Sequence, residues 1–541
     1  MANYKVLVII FLLFQVSSFA QDKVHVPIPK DWFLLDPEKD SVQGVSIERT
    51  YETLLKNQPS KTVIVAIIDS GIDIDHEDLK NVIWTNEKEI PKNGIDDDKN
   101  GYVDDVHGWN FIGGKSGNVE ADTYELTREY IRLKAIYDGN EKRKIPKKQK
   151  KEFEQYSKIK TKYEKLKAKN QEQYDLYNSL YSNVMSATDT LKKILKVEKL
   201  TPELIQGFTT NEPSLLLAKA FLLNLYKNVD ENTEIDTFYA QLKEAIDYYS
   251  VIVKYGYNTE FDSRKIIGDD YSNLYQKGYG NNDVKGPDAT HGTHVAGIVA
   301  ADRKNAIGIK GIADNVKIMP VRAVPNGDER DKDIANAILY AVDNGAQVIN
   351  MSFGKSFSPE KVAVDKAVKY AEQNGVLLVH AAGNDGDDND VEANFPSRFY
   401  LNGKEAQNWL EIGASAWGKD NEFIGAFSNY GKKTVDLFAP GVEIYSTTPD
   451  NTYKEESGTS MASPSTTGVA ALLLSYFPEL TTSELKDILK KSTRKFDGLK
   501  VKKPGTETKV YFSDLSSSGG IVNAFEAVKM AQKIKPTLPK K

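Results

Sequence analysis

Four short apolar runs punctuate the chain, at 62–68, 316–323, 346–352 and 376–381. Each has the length of a strand and little polar alternation, as expected of parallel strands covered on both faces. Near 331–344, 358–374, 460–476 and 481–492 the apolar residues recur at helical spacing instead, which predicts helices with one buried face. Thr481-Thr482-Ser483-Glu484 opens the last of these with the spacing of a capping box. Such alternation predicts an α/β fold with a doubly wound, mostly parallel sheet, and reactive groups just beyond the carboxyl ends of strands.

A different pattern fills 122–254. Phe153, Tyr156, Tyr163, Leu166, Tyr177, Tyr181, Val184, Leu191 and Leu195 approximate a three-four spacing, so a long amphipathic helix is expected after Pro146. Thr201-Pro202-Glu203 reads as a second helix start, with threonine as cap and proline first. Two more helices are expected near 214–227 and 234–254, which makes 122–254 an all-helical insertion. Between Asp138 and Asn170 thirteen Lys/Arg face five Asp/Glu, whereas the whole chain carries −6. A lysine face on a helix is ordinarily solvated, so nucleic-acid binding is not expected. A cap over a substrate cleft, or an arm that docks a partner, fits the insertion better.

Candidate chemistry lies in four short segments. They are Ile67-Ile68-Asp69-Ser70-Gly71, His291-Gly292-Thr293-His294, Ala381-Ala382-Gly383-Asn384 and Ser457-Gly458-Thr459-Ser460-Met461-Ala462. A serine hydroxyl needs a base to take its proton as it attacks a carbonyl, and imidazole titrates near neutrality. A buried carboxylate fixes the ring tautomer and stabilises the imidazolium. Small residues around Ser460 place it at a helix N-terminus, where free backbone N–H groups point outward. The Ser460 N–H and the Asn384 amide can then bind a developing oxyanion. Only six histidines exist in the chain. His294 and His380 sit in apolar surroundings and read as core residues, and no HExxH zinc motif occurs.

These motifs, in the order Asp, His, Asn, Ser, resemble those of the subtilisin-like serine peptidases, the subtilases. The resemblance covers 60–121 and about 255–531, and implies a subtilisin-like three-layer fold with the insertion between Asp and His. It implies Asp69 as orienter, His291 as base, Ser460 as nucleophile and Asn384 as oxyanion donor in a peptide-hydrolysing endopeptidase. It also implies that Ser352, Phe353 and Gly354 pair with the substrate backbone, and that Ala381, Ala382, Gly383 and the region near Asn394 line the pocket. Ser465-Thr466 departs from the His-Val common in the family, without removing a catalytic group. Two alternatives use the same residues: a silent scaffold that binds without cutting, and a processing enzyme whose insertion blocks one end of the cleft.

In Asp96-Asp97-Asp98-Lys99-Asn100-Gly101-Tyr102 the oxygen-bearing residues alternate ahead of a glycine, as in the first half of an EF-hand loop. Asp96, Asp98, Asn100 and the Tyr102 carbonyl are therefore expected calcium ligands. Position twelve is His107 rather than glutamate, and Asp105 is the nearest replacement carboxylate. Similar segments occur in bacterial subtilases, which implies a structural Ca2+ and no organic cofactor. Asp387-Asp388-Asn389-Asp390 is a weaker acidic candidate.

The chain ends change the picture least. Lys5, the apolar run 6–16 and Ser18-Phe19-Ala20 read as a signal peptide over 1–20, and no later stretch is long enough to span a bilayer. Cysteine is absent, so no disulfide framework is available. A secreted or periplasmic bacterial protein is expected, with an N-terminal arm over 21–59, a helix over 519–531 and a tail over 532–541.

Overall fold

The computed structural model describes residues 28–140, 145–227, 235–418 and 423–534. The expected signal peptide, residues 21–27 of the arm and residues 535–541 of the tail lie outside the described residues. The chain divides into two compact units. One holds Thr127–Glu260, and the other holds Ile28–Leu126 with the chain from Phe261 onward.

The 127–260 unit is helical. The helix Glu125–Tyr137 leads into it, and Lys150–Leu195, Pro202–Gly207, Pro213–Lys227 and Ile235–Val251 follow. At about 1.5 Å per residue the 46-residue Lys150–Leu195 helix is roughly 70 Å long. Its first half buries Tyr156, Ile159 and Tyr163, and the Tyr163 ring stacks on Tyr130 with centroids 4.2 Å apart. Its second half buries Leu180, Val184 and Leu191 against Leu200, Ile205, Leu222 and Leu242, a core of its own. Thr201 caps the short helix as the Thr-Pro-Glu pattern predicts.

This unit begins and ends later than the 122–254 expected for the insertion. Residues 122–126 stay with the larger unit, where the Asp122 N–H donates to the Asn326 carbonyl at 3.0 Å. At the far end, Ile252–Gly256 continues the last helix as a π turn, and Thr127 Oγ1 donates to the Gly256 carbonyl at 2.7 Å.

The larger unit is built on one nine-stranded sheet. Its strands are β1 (Val63–Asp69), β2 (Trp109–Asn110), β3 (Val316–Arg322), β4 (Val348–Met351), β5 (Leu377–Ala381), β6 (Trp409–Ser415), β7 (Leu437–Pro440), β8 (Arg494–Lys495) and β9 (Gly520–Ile521). In space they run β8-β9-β7-β6-β5-β4-β1-β3-β2, all neighbours parallel except β8 with β9. Four helices position the site: α1 (Thr290–Ala300), α2 (Asp331–Asp343), α3 (Lys361–Gln373) and α4 (Thr459–Tyr476).

Strand alternation sends β1 into two cores at once. Val63, Val65 and Ile67 pack with α1 and α4, whereas Ala66 and Ile68 pack with α2 and α3. The three layers follow from that alternation, and the architecture is the α/β fold expected. The arm contributes Trp32, Phe33, Val45 and Ile47 to the first core, and the Trp32 indole donates to the Glu443 carbonyl at 3.0 Å. The C-terminal helix occupies Ala524–Ile534 rather than 519–531, because Gly520–Ile521 joins the sheet between β8 and β7. Among the described residues no helix is long and apolar enough to cross a membrane.

Candidate active site

Asp69 ends β1 and is 2% exposed. Its Oδ1 accepts the Ser70 N–H at 2.7 Å and faces His291 Nδ1 at 2.7 Å. A carboxylate on Nδ1 fixes the tautomer that leaves Nε2 free to accept a proton. His291 lies in the first turn of α1, and Gly292 allows the approach. A Cβ there would come within 2.1 Å of the Gly71 carbonyl oxygen. Burial pulls the His291 pKa down, but the Asp69 carboxylate, with Glu456 and Asp288, more than offsets this and raises it to about 9. His294, on the same helix, is a core residue. Its Nε2 lies 2.9 Å from the Ile444 and 3.1 Å from the Lys454 carbonyls, and burial lowers its pKa to about 4.

Ser460 stands in the first turn of α4, and its Oγ donates to the Ser352 carbonyl at 3.2 Å. Pro464 sits inside this helix and lacks the N–H that would reach the Ser460 carbonyl. The Ser352 hydroxyl supplies the missing donor at 2.9 Å, so the expected substrate strand and the expected nucleophile are bonded in both directions.

Asn384 follows β5. Its Oδ1 accepts the Thr459 N–H and the Thr459 hydroxyl, each at 2.9 Å, which directs Nδ2 away from them. A methyl added at Gly458 would lie 3.5 Å from Ser460 N and 3.6 Å from Asn384 Nδ2. Ser460 N and Asn384 Nδ2 therefore both lie within 3.6 Å of one point, and two donors to one oxyanion must be that close together.

Ser352, Phe353 and Gly354 continue from β4, and Ala381, Ala382 and Gly383 from the end of β5. Asn394 lies between them. Its Nδ2 donates to the Ala382 carbonyl at 3.0 Å, and a Cβ on Gly354 would strike its Oδ1 at 2.5 Å. One carboxamide thus touches Gly354 and the Ala381–Ala382 segment.

Several charged residues were not singled out by sequence reasoning. Lys355, 5% exposed, directs its ammonium at Glu125 and Asp331, both at 2.8 Å, directly after Ser352–Gly354. Arg322 lies opposite Asp69 in the β1–β3 register and donates to the Ser70 carbonyl at 2.7 Å. Asp122 accepts Ser263 Oγ at 2.6 Å and Arg330 Nε at 2.7 Å, joining the segments that lead into and out of the helical unit. The signal available in sequence was a charge at the end of an apolar strand, as in the run 316–323.

The acidic loop turns at Gly101, whose φ of +103° suits only glycine. Asp96 accepts the Asn100 and Gly101 N–H groups, and Asp98 accepts Asn100 N–H and Asn86 Nδ2. The Tyr102 N–H donates to Asn100 Oδ1 at 2.8 Å. Glu89, which no motif marks, joins Asp96 and Asp98 in a group whose oxygens lie within 4.8 Å of one another. Such an all-oxygen donor set suits calcium. At the second acidic stretch, Asp390 instead accepts the Lys433 and Thr434 N–H groups and caps a turn.

A three-layer α/β fold with a histidine–carboxylate pair and a serine at a helix N-terminus defines the class of subtilisin-type serine peptidases. The chain belongs to the Subtilase family, whose model matches residues 60–513. It is similar to the thermophilic serine proteinase of Bacillus sp. (strain AK1), 45% identical over 34% of this chain and 42% of that protein. Thermitase of Thermoactinomyces vulgaris is 37% identical over 44% of this chain and 74% of its own length. The cell wall-associated protease of Bacillus subtilis (strain 168) is 30% identical over 60% of this chain and 35% of its own. The match therefore spans less than half of the first of these relatives.

Proposed function

We propose that the chain is a serine endopeptidase that hydrolyses peptide bonds in peptides or proteins through an acyl-enzyme. Ser460 Oγ attacks the scissile carbonyl while His291 Nε2 takes its proton, and Asp69 holds the ring and stabilises the imidazolium. The Ser460 N–H and Asn384 Nδ2 bind the oxyanion. His291 then returns the proton to the leaving amine, and water repeats the sequence to release the acid. Ser352, Phe353 and Gly354 would pair with the substrate backbone, and Ala381, Ala382 and Gly383 would wall the pocket.

The observation that carries this reading is the 2.7 Å His291–Asp69 contact, with Ser460 N and Asn384 Nδ2 both close to one point at Gly458. Calcium held by Asp96, Asp98, Asn100 and the Tyr102 carbonyl would tie the loop after β1 in place, a structural role. Export by the 1–20 segment belongs to the same reading, as does the helical unit acting as a substrate cap or docking arm.

The test is labelling of the purified chain with a fluorophosphonate probe beside Ser460→Ala. Labelling of the parent alone supports an activated nucleophile. With both proteins folded, no labelling of either points to a silent scaffold.

A further inference from the structure

One oxygen beside the acidic loop has no hydrogen bond to account for its burial. Glu89 lies upstream of the loop and is 5% exposed. Its Oε1 accepts the N–H groups of Asp97 and Asp98 at 2.9 and 3.1 Å. Its Oε2 is buried without a hydrogen-bond partner. A buried acceptor left without a donor costs roughly 1–3 kcal/mol, and more when it is charged. Here the charge sits beside the carboxylates of Asp96 and Asp98, with oxygens of all three within 4.8 Å. Like charges so placed repel. A divalent cation relieves both penalties, because it supplies the missing partner and neutralises the cluster.

The donor chemistry limits the choice of ion. The three carboxylates offer only oxygen, with no imidazole or thiolate among them, which favours a hard cation such as calcium over zinc or copper. Asp105, the replacement suggested by loop spacing, is engaged elsewhere. Its Oδ2 accepts the Tyr340 hydroxyl at 2.7 Å and Asn100 Nδ2 at 3.0 Å, and its Oδ1 accepts Asn86 Nδ2 at 3.1 Å. Those bonds hold the loop to α2, and Asp105 is not among the carboxylates whose oxygens gather within 4.8 Å of one another.

We propose that Glu89 supplies the carboxylate that the loop lacks at its twelfth position. The ion is then held between two segments, Glu89 on one side and Asp96 and Asp98 on the other. This rests on the calcium reading above and adds to it a ligand from outside the loop. Glu89 also presents Oε1 to the loop backbone, so the carboxylate that binds the ion shapes the turn carrying its other ligands.

The test uses the full chain carrying Ser460→Ala, so that it cannot digest itself. The metal-free protein is titrated with Ca2+ by calorimetry and with Tb3+ by emission excited through Tyr102 and Trp109. Near-UV circular dichroism confirms the fold of each variant. Glu89→Gln is expected to lose one equivalent of calcium or to weaken it at least about tenfold, since affinity follows ligand charge. Asp105→Asn is expected to stay within about threefold, because its carboxylate is not a ligand. If Glu89→Gln does not fold, Glu89→Asp, which keeps the charge but shortens the reach, must show the same weakening. Calcium binding unchanged by either Glu89 variant overturns the assignment while leaving calcium in place. No calcium binding by the parent overturns the calcium reading itself.

Discussion

Thr459→Val isolates how Asn384, the proposed oxyanion donor, is aimed. Thr459 is fully buried, and its hydroxyl accepts the Gly383 N–H at 3.1 Å while donating to Asn384 Oδ1 at 2.9 Å. Valine keeps the shape and the Thr459 N–H bond but removes both hydroxyl contacts. Stranding the Gly383 N–H costs about 1–3 kcal/mol of stability. The catalytic loss is bounded from above by deleting the donor altogether, about 2.7–4 kcal/mol, a range drawn from subtilisin itself and not worked from this chain. Losing one of two restraining hydrogen bonds, at about 0.5–1.5 kcal/mol, lowers kcat roughly two- to thirteenfold. KM should hold, because the interaction strengthens only in the transition state. Steady-state kinetics on a chromogenic peptide anilide give both numbers. The decisive comparison repeats the substitution in an Asn384→Ala background, where the hydroxyl has nothing left to orient and its effect on kcat should vanish. An equal loss in both backgrounds would refute the reasoning.

Two further outcomes can be checked with the same substrate. The proposed role of His291 as base needs its neutral form, and its pKa is raised to about 9, so kcat/KM should fall as pH drops through a value above the ordinary 6.5. Glu456→Gln removes one of the carboxylates that raise it and should move that limb to lower pH; an unmoved limb counts against the electrostatic assignment. Replacing residues 127–260 by a short loop should impair cleavage of folded proteins more than of short peptides, as gel-based digestion beside the anilide assay would report. Equal effects on both would remove the cap or docking role.

The parts of the fold legible in sequence are those governed by local rules. The apolar runs that became β1, β3, β4 and β5 need no alternation because both sheet faces are covered. The capping box at Thr481 forms as its spacing predicts. β6 escaped notice because Glu411 and Gly413 interrupt its apolar pattern. Glu411 is tolerated there by His380 Nδ1 at 3.0 Å and Trp409 Nε1 at 2.8 Å. Close approaches within the motifs were legible because small residues mark them, and Gly292 against Gly71 shows that directly. Glu89, Arg322 and Lys355 were not. Lys355 meets Glu125 across 230 residues of chain, and neither propensity nor spacing carries information over that distance.

The hydrogen bond between Asp122 and Ser263 has an entropic consequence. A flexible segment lengthened sevenfold between fixed ends costs only about 1.7 kcal/mol more to close, because closure entropy grows with the logarithm of length. Here the segment between those two residues holds its own buried core, so it need not be closed as a flexible coil at all. Once that core has formed, the sheet meets two chain ends rather than a long unstructured excursion. Arg330 grips one of those ends and the Asp122–Ser263 bond holds the other to it. The junction is therefore where the size of the inserted sequence is uncoupled from the folding of the sheet, and it is the place to cut and rejoin the chain.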